Sequence, residues 1–349
     1  MNKKSLGHSV SLTEYRRSGE LSEALRAPGD SPVFLSLHIR EEQDENYVQD
    51  MKRLCHILQD SGKRILADVS DESLEMFSVA SFEELRDMLS LWALRIDYGV
   101  GINEICSLAE KMPVVLNAST TGDEDAQRIM AKGKEVYAMH NFYPRPETGL
   151  DEEYFHACNE RLRKYGMKIM AFIPGDKVKR MPLRKGLPTL EKHRDQPPYV
   201  SFVDLSESGE VDQIFAGDPE LSGKQEQMIQ RYCDTGILAI PCTLNPDMAC
   251  LYDQVFTCRI DTPSCLIRVQ ESRAFFKGKK ILSENNQRRE RGSITIDNEN
   301  YLRYQGEVQI MRKDFPADEN VNVIGHVQKE YMNLIDLVKR GGKFVFVHE

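Results

Sequence analysis

The chain has 349 residues, with 46 Lys+Arg against 55 Asp+Glu and a formal net charge of −9. That length fits about two domains, and 40% hydrophobic with 29% charged residues argues against wholesale disorder. The acidic balance suits a phosphate backbone poorly, so nucleic acid is not an expected partner. No run of about 18 uncharged apolar residues marks a membrane span. The opening residues Met1 to His8 carry Lys3 and Lys4 but no apolar run behind them. No signal peptide is read there, and a cytoplasmic location is expected. The eight Cys then read as reduced thiols. Those from Cys233 to Cys265 include no close C-x2-C pair, which favours core residues over zinc ligands.

Short apolar runs open the chain at Leu6–Leu12, Val33–Ile39, Arg64–Asp68 and Leu91–Asp97. Val114–Ala118, Val136–Asn141, Lys168–Ile173 and Val211–Ala216 follow. Amphipathic stretches separate these runs. In Asn46–Asp60, Tyr47, Met51, Leu54, Cys55 and Leu58 recur at helical steps. Asp151–Tyr165 has Asp151 as N-cap and Gly166 as its stop. Tyr199–Leu205 is apolar enough for a strand, but its pattern fits a helix face, and a strand follows closely. Alternating β and α units over residues 1–235 predict a closed (β/α)8 TIM barrel. An open doubly wound sheet is the competing reading.

Beyond Thr235 the texture changes. Ile237–Leu244, Val255–Ile260, Cys265–Val269, Ser293–Ile296, Glu307–Ile310, Val321–Ile324 and Phe344–Val347 read as strands between turn residues. Lys329–Lys339 reads as the one strong helix, and Lys277 to Arg291 as a solvated loop. Residues 236–349 are therefore expected to form a smaller, mostly antiparallel β domain.

In a barrel the site lies where the strands' C-terminal ends meet. That rule selects His38 with Glu41 and Glu42, then Asp68, then Arg95 and Asp97, then Asn117. His140 and Asn141 follow, leading into the loop Phe142 to Gly149 with Tyr143 and Arg145. A long loop then runs to Glu191, His193 and Arg194, and Asp218 closes the set. Such a mouth suits a polar, anionic, hydroxyl-bearing substrate. Arg95, Arg145, Arg184 and Arg194 offer planar forks for phosphate or carboxylate. Glycoside hydrolysis needs two carboxyl groups across the scissile bond, and separate strand ends can supply them. Structural alternatives stand beside these readings. Asp68 and Asp97 also suit helix caps or ion pairs, and His140 a buried imidazole. Glu191 also suits capping chemistry with Thr189. No cofactor or metal is expected. Strand two offers only His38 where a metal barrel needs paired His. No strand-end Lys stands ready for a Schiff base on strands one to six, and neither Walker loop nor G-x-G-x-x-G is present.

These residues carry a resemblance. Phe34 to His38, Leu94 to Gly99, His140 to Leu150, Gly186 to Arg194, Gly217 to Pro219, Ile294 to Asn298 and Asn322 to Gly325 resemble the MupG-type 6-phospho-N-acetylmuramidases. That resemblance implies a TIM barrel followed by a cyclophilin-like β domain. It implies a cytoplasmic hydrolase of cell-wall recycling that acts on a small phosphorylated amino-sugar disaccharide. The bond cut would be the β-1,4 link of 6-phospho-N-acetylmuramyl-N-acetylglucosamine. Asp97 and Glu191 are the expected acid and nucleophile or base, with Asp68 and Asp218 as substitutes. His38, Arg95, Asn117, His140, Asn141, Tyr143, Arg145, Arg184, His193 and Arg194 would hold substrate. The second domain would close the barrel mouth or mediate a homodimer. Two other readings are a phosphoglycosidase for a different 6-phosphosugar and a non-catalytic phosphosugar- or peptide-binding regulator.

Overall fold

All eight expected barrel strands form, most of them shorter than the apolar runs suggest. The structure, a computed structural model, describes residues 5–39, 42–96 and 98–348. The strands are β1 (Leu6–Val10), β2 (Pro32–Ser36), β3 (Arg64–Val69) and β4 (Ala93–Ile96), then β5 (Val114–Asn117), β6 (Val136–Met139), β7 (Lys168–Ile173) and β8 (Gln213–Ala216). Each pairs in parallel with the next, and β8 pairs with β1, so the sheet closes. The fold is α/β, and the closed ring rules out the open sheet.

The helices between strands bury one stripe each. Tyr47–Asp60 buries Tyr47, Met51, Leu54, Cys55 and Leu58. Glu152–Arg163 starts where the Asp151 carboxylate accepts the Tyr154 N–H at 2.8 Å. The ambiguous segment falls within helix Pro198–Glu207. Proline suits that first position, because its missing N–H would have no helical partner.

The lumen is a plug of side chains. Phe34, Leu66, Ala93, Val115, Tyr137, Met139, Met170, Phe172 and Phe215 form one buried cluster. Phe142, just past β6, packs on it: its ring meets Phe172 at 5.1 Å and Phe34 at 6.1 Å, both edge to face. The plug sets the floor of the mouth.

The chain divides into two compact units, residues 1–226 and 227–349. The second holds β9 (Leu238–Leu244), β10 (Val255–Thr257), β11 (Leu266–Arg268), β12 (Ser293–Asp297), β13 (Val308–Met311), β14 (Val321–Val327) and β15 (Lys343–Val347). Their order is β10-β15-β9-β14-β12-β13-β11. Every pairing is antiparallel except β15 with β9. Phe256, Phe344 and Phe346 pack their rings together there.

One expectation in this unit is corrected. Lys329–Lys339 is not one helix: a single turn at Lys329–Tyr331 precedes a short helix, Leu334–Leu337. The Arg312 guanidinium takes the carbonyls of Ile335 at 2.9 Å and Val338 at 2.5 Å, which a longer helix would use itself. The 277–291 segment is the expected loop, irregular and mostly exposed, with a few tethers to β14. The Asn286 side chain donates to the Val321 carbonyl at 2.9 Å, and the Asn285 carbonyl accepts the Val323 N–H at 3.2 Å. All eight Cys are free thiols. No helix among the described residues is long and apolar enough to cross a membrane.

Candidate active site

Strand periodicity chooses what reaches the mouth. Side chains alternate between lumen and helix layer. Two residues beyond lumen-facing Phe34, Leu66, Ala93, Val115 and Met139 come Ser36, Asp68, Arg95, Asn117 and Asn141. Register aligns Ser36 with Asp68 and Asp68 with Arg95. A polar tier thus stands directly above the apolar plug.

Arg95 is its centre. One Nη donates to the Asp68 carboxylate at 2.6 Å, and the other to the Asn141 amide oxygen. Arg95 is 4% exposed and Asp68 8%, so this is a largely desolvated, charge-assisted contact. The His38 Nε2 lies 3.9 Å from the same Asp68 oxygen and makes no hydrogen bond among the described residues. Tyr98 packs its ring 5.6 Å from the His38 ring. On the next strand Asn117 accepts the Ser119 N–H at 3.0 Å. The structure therefore gathers His38, Asp68, Arg95, Asn117 and Asn141. Asp97, and Glu41 beyond β2, lie outside the described residues.

Glu191, Arg194 and Asp218 sit in the loops and hold them. Glu191 accepts the Glu147 N–H at 2.8 Å and the Gly149 N–H at 2.7 Å. It also takes the Arg194 fork through two bonds of 2.6 Å. Those bonds, the Arg194 pair foremost, hold its carboxyl down at about 2. A Cβ on Gly149 would come within 2.8 Å of the Glu191 backbone nitrogen, so this crossing needs glycine. Arg194 also donates to the Gly186 carbonyl at 3.0 Å and the Arg145 carbonyl at 3.2 Å. Asp218 accepts from the backbone N–H groups of Gly175, Arg180 and Leu187. Burial nevertheless pushes its carboxyl above the ordinary value. Thr189 does not cap the Glu191 turn. Its hydroxyl accepts the Phe172 N–H at 2.9 Å and donates to the Asn141 carbonyl at 2.9 Å.

Both remaining imidazoles face away from the polar tier. His140 is buried, its Nε2 2.7 Å from the Asn159 amide oxygen and its ring against Phe155. Burial pushes it down to about 4. His193 is fully buried with its Nε2 2.8 Å from Asp204. Arg145 and Arg184 are exposed on the loops after β6 and β7. Tyr143 is half-buried, and its N–H bonds the Pro188 carbonyl at 3.0 Å.

Arg180 was missed by the strand-end rule. Its guanidinium lies 5.6 Å from the centre of the Phe142 ring, over the plug. The cationic run Lys177, Lys179, Arg180 was the available signal, but distance from any strand end hid it. Glu42, noted in passing, proves buried; it accepts from the Ser11 hydroxyl at 3.0 Å and the Thr13 N–H at 2.9 Å.

Family models described as the N-terminal and C-terminal parts of 6-phospho-N-acetylmuramidase match residues 6–231 and 242–347. A conserved protein of unknown function from Enterococcus faecalis is similar over 99% of this chain and 97% of its own, with 31% identity and a TM-score of 0.83. An uncharacterised protein from B. cereus is similar over 99% of this chain and all of its own, with 24% identity and a TM-score of 0.81. No curated protein matches the sequence.

Proposed function

Because this chain belongs to the 6-phospho-N-acetylmuramidase family, we propose that it hydrolyses 6-phospho-N-acetylmuramyl-N-acetylglucosamine. The products are the 6-phosphorylated muramic sugar and free N-acetylglucosamine. The observation that carries the reading is the tier of His38, Asp68, Arg95 and Asn141 above an apolar floor. It presents a carboxylate, an imidazole and amides to a hydroxyl-bearing ligand. Arg145, Arg180 and Arg184 on the surrounding loops suit a phosphate or lactyl carboxylate.

We assign the chemistry to Asp68 and Asp97. Asp97 follows Arg95 by two residues, and the family resemblance points to it. Asp68 is held in one orientation by Arg95. One carboxyl gives a proton to the leaving oxygen. The other either attacks the anomeric carbon or steers the substrate's own acetamide to do so, and water completes the cleavage. Glu191, held at about 2 and bonded on both oxygens, shapes the loops rather than donating a proton. The setting is a cytoplasmic recycling step.

The test is incubation with the 6-phospho disaccharide and its unphosphorylated twin, read by mass spectrometry. Cleavage of the phosphorylated form alone supports the assignment. Asp68→Asn and Asp97→Asn should each lower kcat by roughly 10²- to 10⁴-fold, and Asp68→Asn should also lower the melting temperature, because it removes the counter-charge of the buried Arg95. Near-normal turnover in both variants would remove both residues from the chemistry. Tight binding without released N-acetylglucosamine would favour a phosphosugar-sensing protein.

A further inference from the structure

One buried carboxylate has no part in the chemistry assigned above. Asp218 lies two residues past β8, is 1% exposed, and commits both oxygens to the loop after β7. Its Oδ2 accepts the N–H groups of Gly175 at 2.7 Å and Leu187 at 3.0 Å, while Oδ1 accepts the Arg180 N–H at 2.9 Å. Both ends of segment 175–187 therefore meet on one oxygen, which closes it into an Ω-type loop. Burying a carboxylate is costly unless hydrogen bonds offset the lost water. The three bonds that do so here come from the loop's own backbone. The Val178 N–H adds a bond to the Glu220 carbonyl at 3.3 Å. The neck is tight: a Cβ on Gly175 would stand 2.7 Å from that of Asp218.

The loop so held is cationic. Positions 177–185 carry Lys177, Lys179, Arg180, Arg184 and Lys185 and no carboxylate. Lys177 pairs with Glu220 at 3.0 Å, and Arg184 and Lys185 are exposed at the tip. Arg180 is different. Its N–H is pinned to Asp218, and its carbonyl accepts the Arg184 N–H at 3.1 Å. Its half-buried side chain turns back over the mouth, with the guanidinium 5.6 Å from the centre of the Phe142 ring. Phe142 rests on the plug, and the preceding Asn141 bonds Arg95. The planar fork is thus held above the floor and beside the polar tier. A guanidinium matches two oxygens of a phosphate monoester at once. One already fixed by its backbone and an aromatic face loses less rotamer freedom on binding than an exposed arginine such as Arg145 or Arg184.

We propose that Arg180 is the residue that selects a phosphorylated substrate, and that Asp218 is a positioning residue acting through it. The inference deepens the hydrolase reading and rests on it for the sugar, while the guanidinium fork itself calls for the oxyanion. Other arginines near the mouth are engaged elsewhere: Arg95 by Asp68 and Asn141, and Arg194 by Glu191. Asp218, though it follows a strand end, then serves specificity rather than proton transfer.

The experiment measures, by calorimetry on the full chain, the dissociation constants of N-acetylmuramic acid 6-phosphate and of N-acetylmuramic acid. Both ligands carry the lactyl carboxylate, so the ratio of the second constant to the first isolates the phosphate. Arg180→Ala should lower that ratio roughly tenfold to a hundredfold, the loss of a charge-assisted pair of hydrogen bonds. Arg180→Lys should restore part of it. Arg145→Ala and Arg184→Ala should each lower it by no more than a few-fold. Asp218→Asn should lower the ratio as Arg180→Ala does and add little in the double variant, a coupling that a merely structural role would not produce. Gly175→Ala keeps the carboxylate but crowds the pin, so it should shift the ratio the same way and carries the test where Asp218→Asn does not fold. No preference of the parent for the phosphorylated ligand overturns the proposal. So does an unchanged ratio in Arg180→Ala, or a larger loss in Arg145→Ala or Arg184→Ala. Full ratios in folded Asp218→Asn and in Gly175→Ala overturn the positioning role. Turnover separates the two claims. An Arg180-dependent ratio with no hydrolysis sinks the enzyme reading and leaves the phosphate receptor standing, while hydrolysis with a ratio indifferent to Arg180 does the reverse.

Discussion

Glu191 shows how a carboxylate at a barrel mouth can be structural. Each oxygen takes one backbone N–H from the loop after β6 and one arm of the Arg194 fork. The same loop places Glu147 at φ 69°, a left-handed conformation costly for a residue with a side chain. The Glu147 N–H bond to Glu191 helps hold it there. Glu191's folded value, about 2, lies below the unfolded one. Its stabilisation is therefore present above about pH 4.5 and is lost as pH falls toward 2. The side chain is 31% exposed, so solvent screening reduces the gain to about 1–2 kcal/mol. Glu191→Gln should lower stability by that amount at pH 7 and speed proteolysis of the 174–188 loop. The difference should close near pH 2–3 in chemical denaturation. A gap that persists unchanged at that pH would disprove the ionic brace. The sequence named Glu191 and Arg194 but could not show that they bind each other. A three-residue spacing fits many uses, and only the turn at Glu191–His193 closes the fork.

Strand parity decides between neighbours that sequence treats alike. His140 and Asn141 end the same strand, and both were candidates. β6 sends Asn141 to Arg95 and His140 to Asn159 in the helix layer. The alternation was legible once the lumen set was known; the strand end was not, because the polar residues past it continue the pattern without ladder bonds. Hence Val33–Ile39 became Pro32–Ser36, and Leu91–Asp97 became Ala93–Ile96. The broken helix in the second unit was illegible for another reason. Its competitor, Arg312, is a side chain from outside the segment. His140 also carries a prediction at this scale. Burial lowers its folded value to about 4, below the unfolded 6.5. The stability it contributes is complete above about pH 6.5 and vanishes as pH drops through 4, in total about 3 kcal/mol. His140→Gln should flatten the acid limb of the stability curve over that window. Fluorescence-monitored denaturation at pH 4 and pH 7 measures it. Two parallel limbs, with His140 and with Gln, would refute the assignment. His8, also lowered to about 4 by burial and by Lys63, adds an acid-limb slope of similar size that is common to both proteins.

At the scale of the whole chain, one buried carboxyl of the second unit runs against the acid sensitivity of the barrel's buried imidazoles. The barrel unit's buried imidazoles and its Glu191 and Asp204 carboxylates, both held at about 2, weaken it as acid is added. The second unit carries a group that behaves the other way. Asp297, at the end of β12, is 5% exposed. Burial first, then the neighbouring Glu307 and Asp318, push its carboxyl up to about 7. Glu307 meanwhile draws Arg268 at 2.5 Å and Arg273 at 3.4 Å. The local cations are thus committed to a different carboxylate. A folded value above the unfolded one means the contribution of Asp297 is complete below about pH 4. It declines as pH rises to 7, by a few kcal/mol in all. Asp297→Asn keeps the shape and removes the titration. It should match its parent near pH 4 and exceed it by several degrees in melting temperature at pH 8, read by calorimetry across that range. A constant offset between the two proteins at every pH would mean that asparagine merely packs differently, and Asp297 would carry no proton at neutrality.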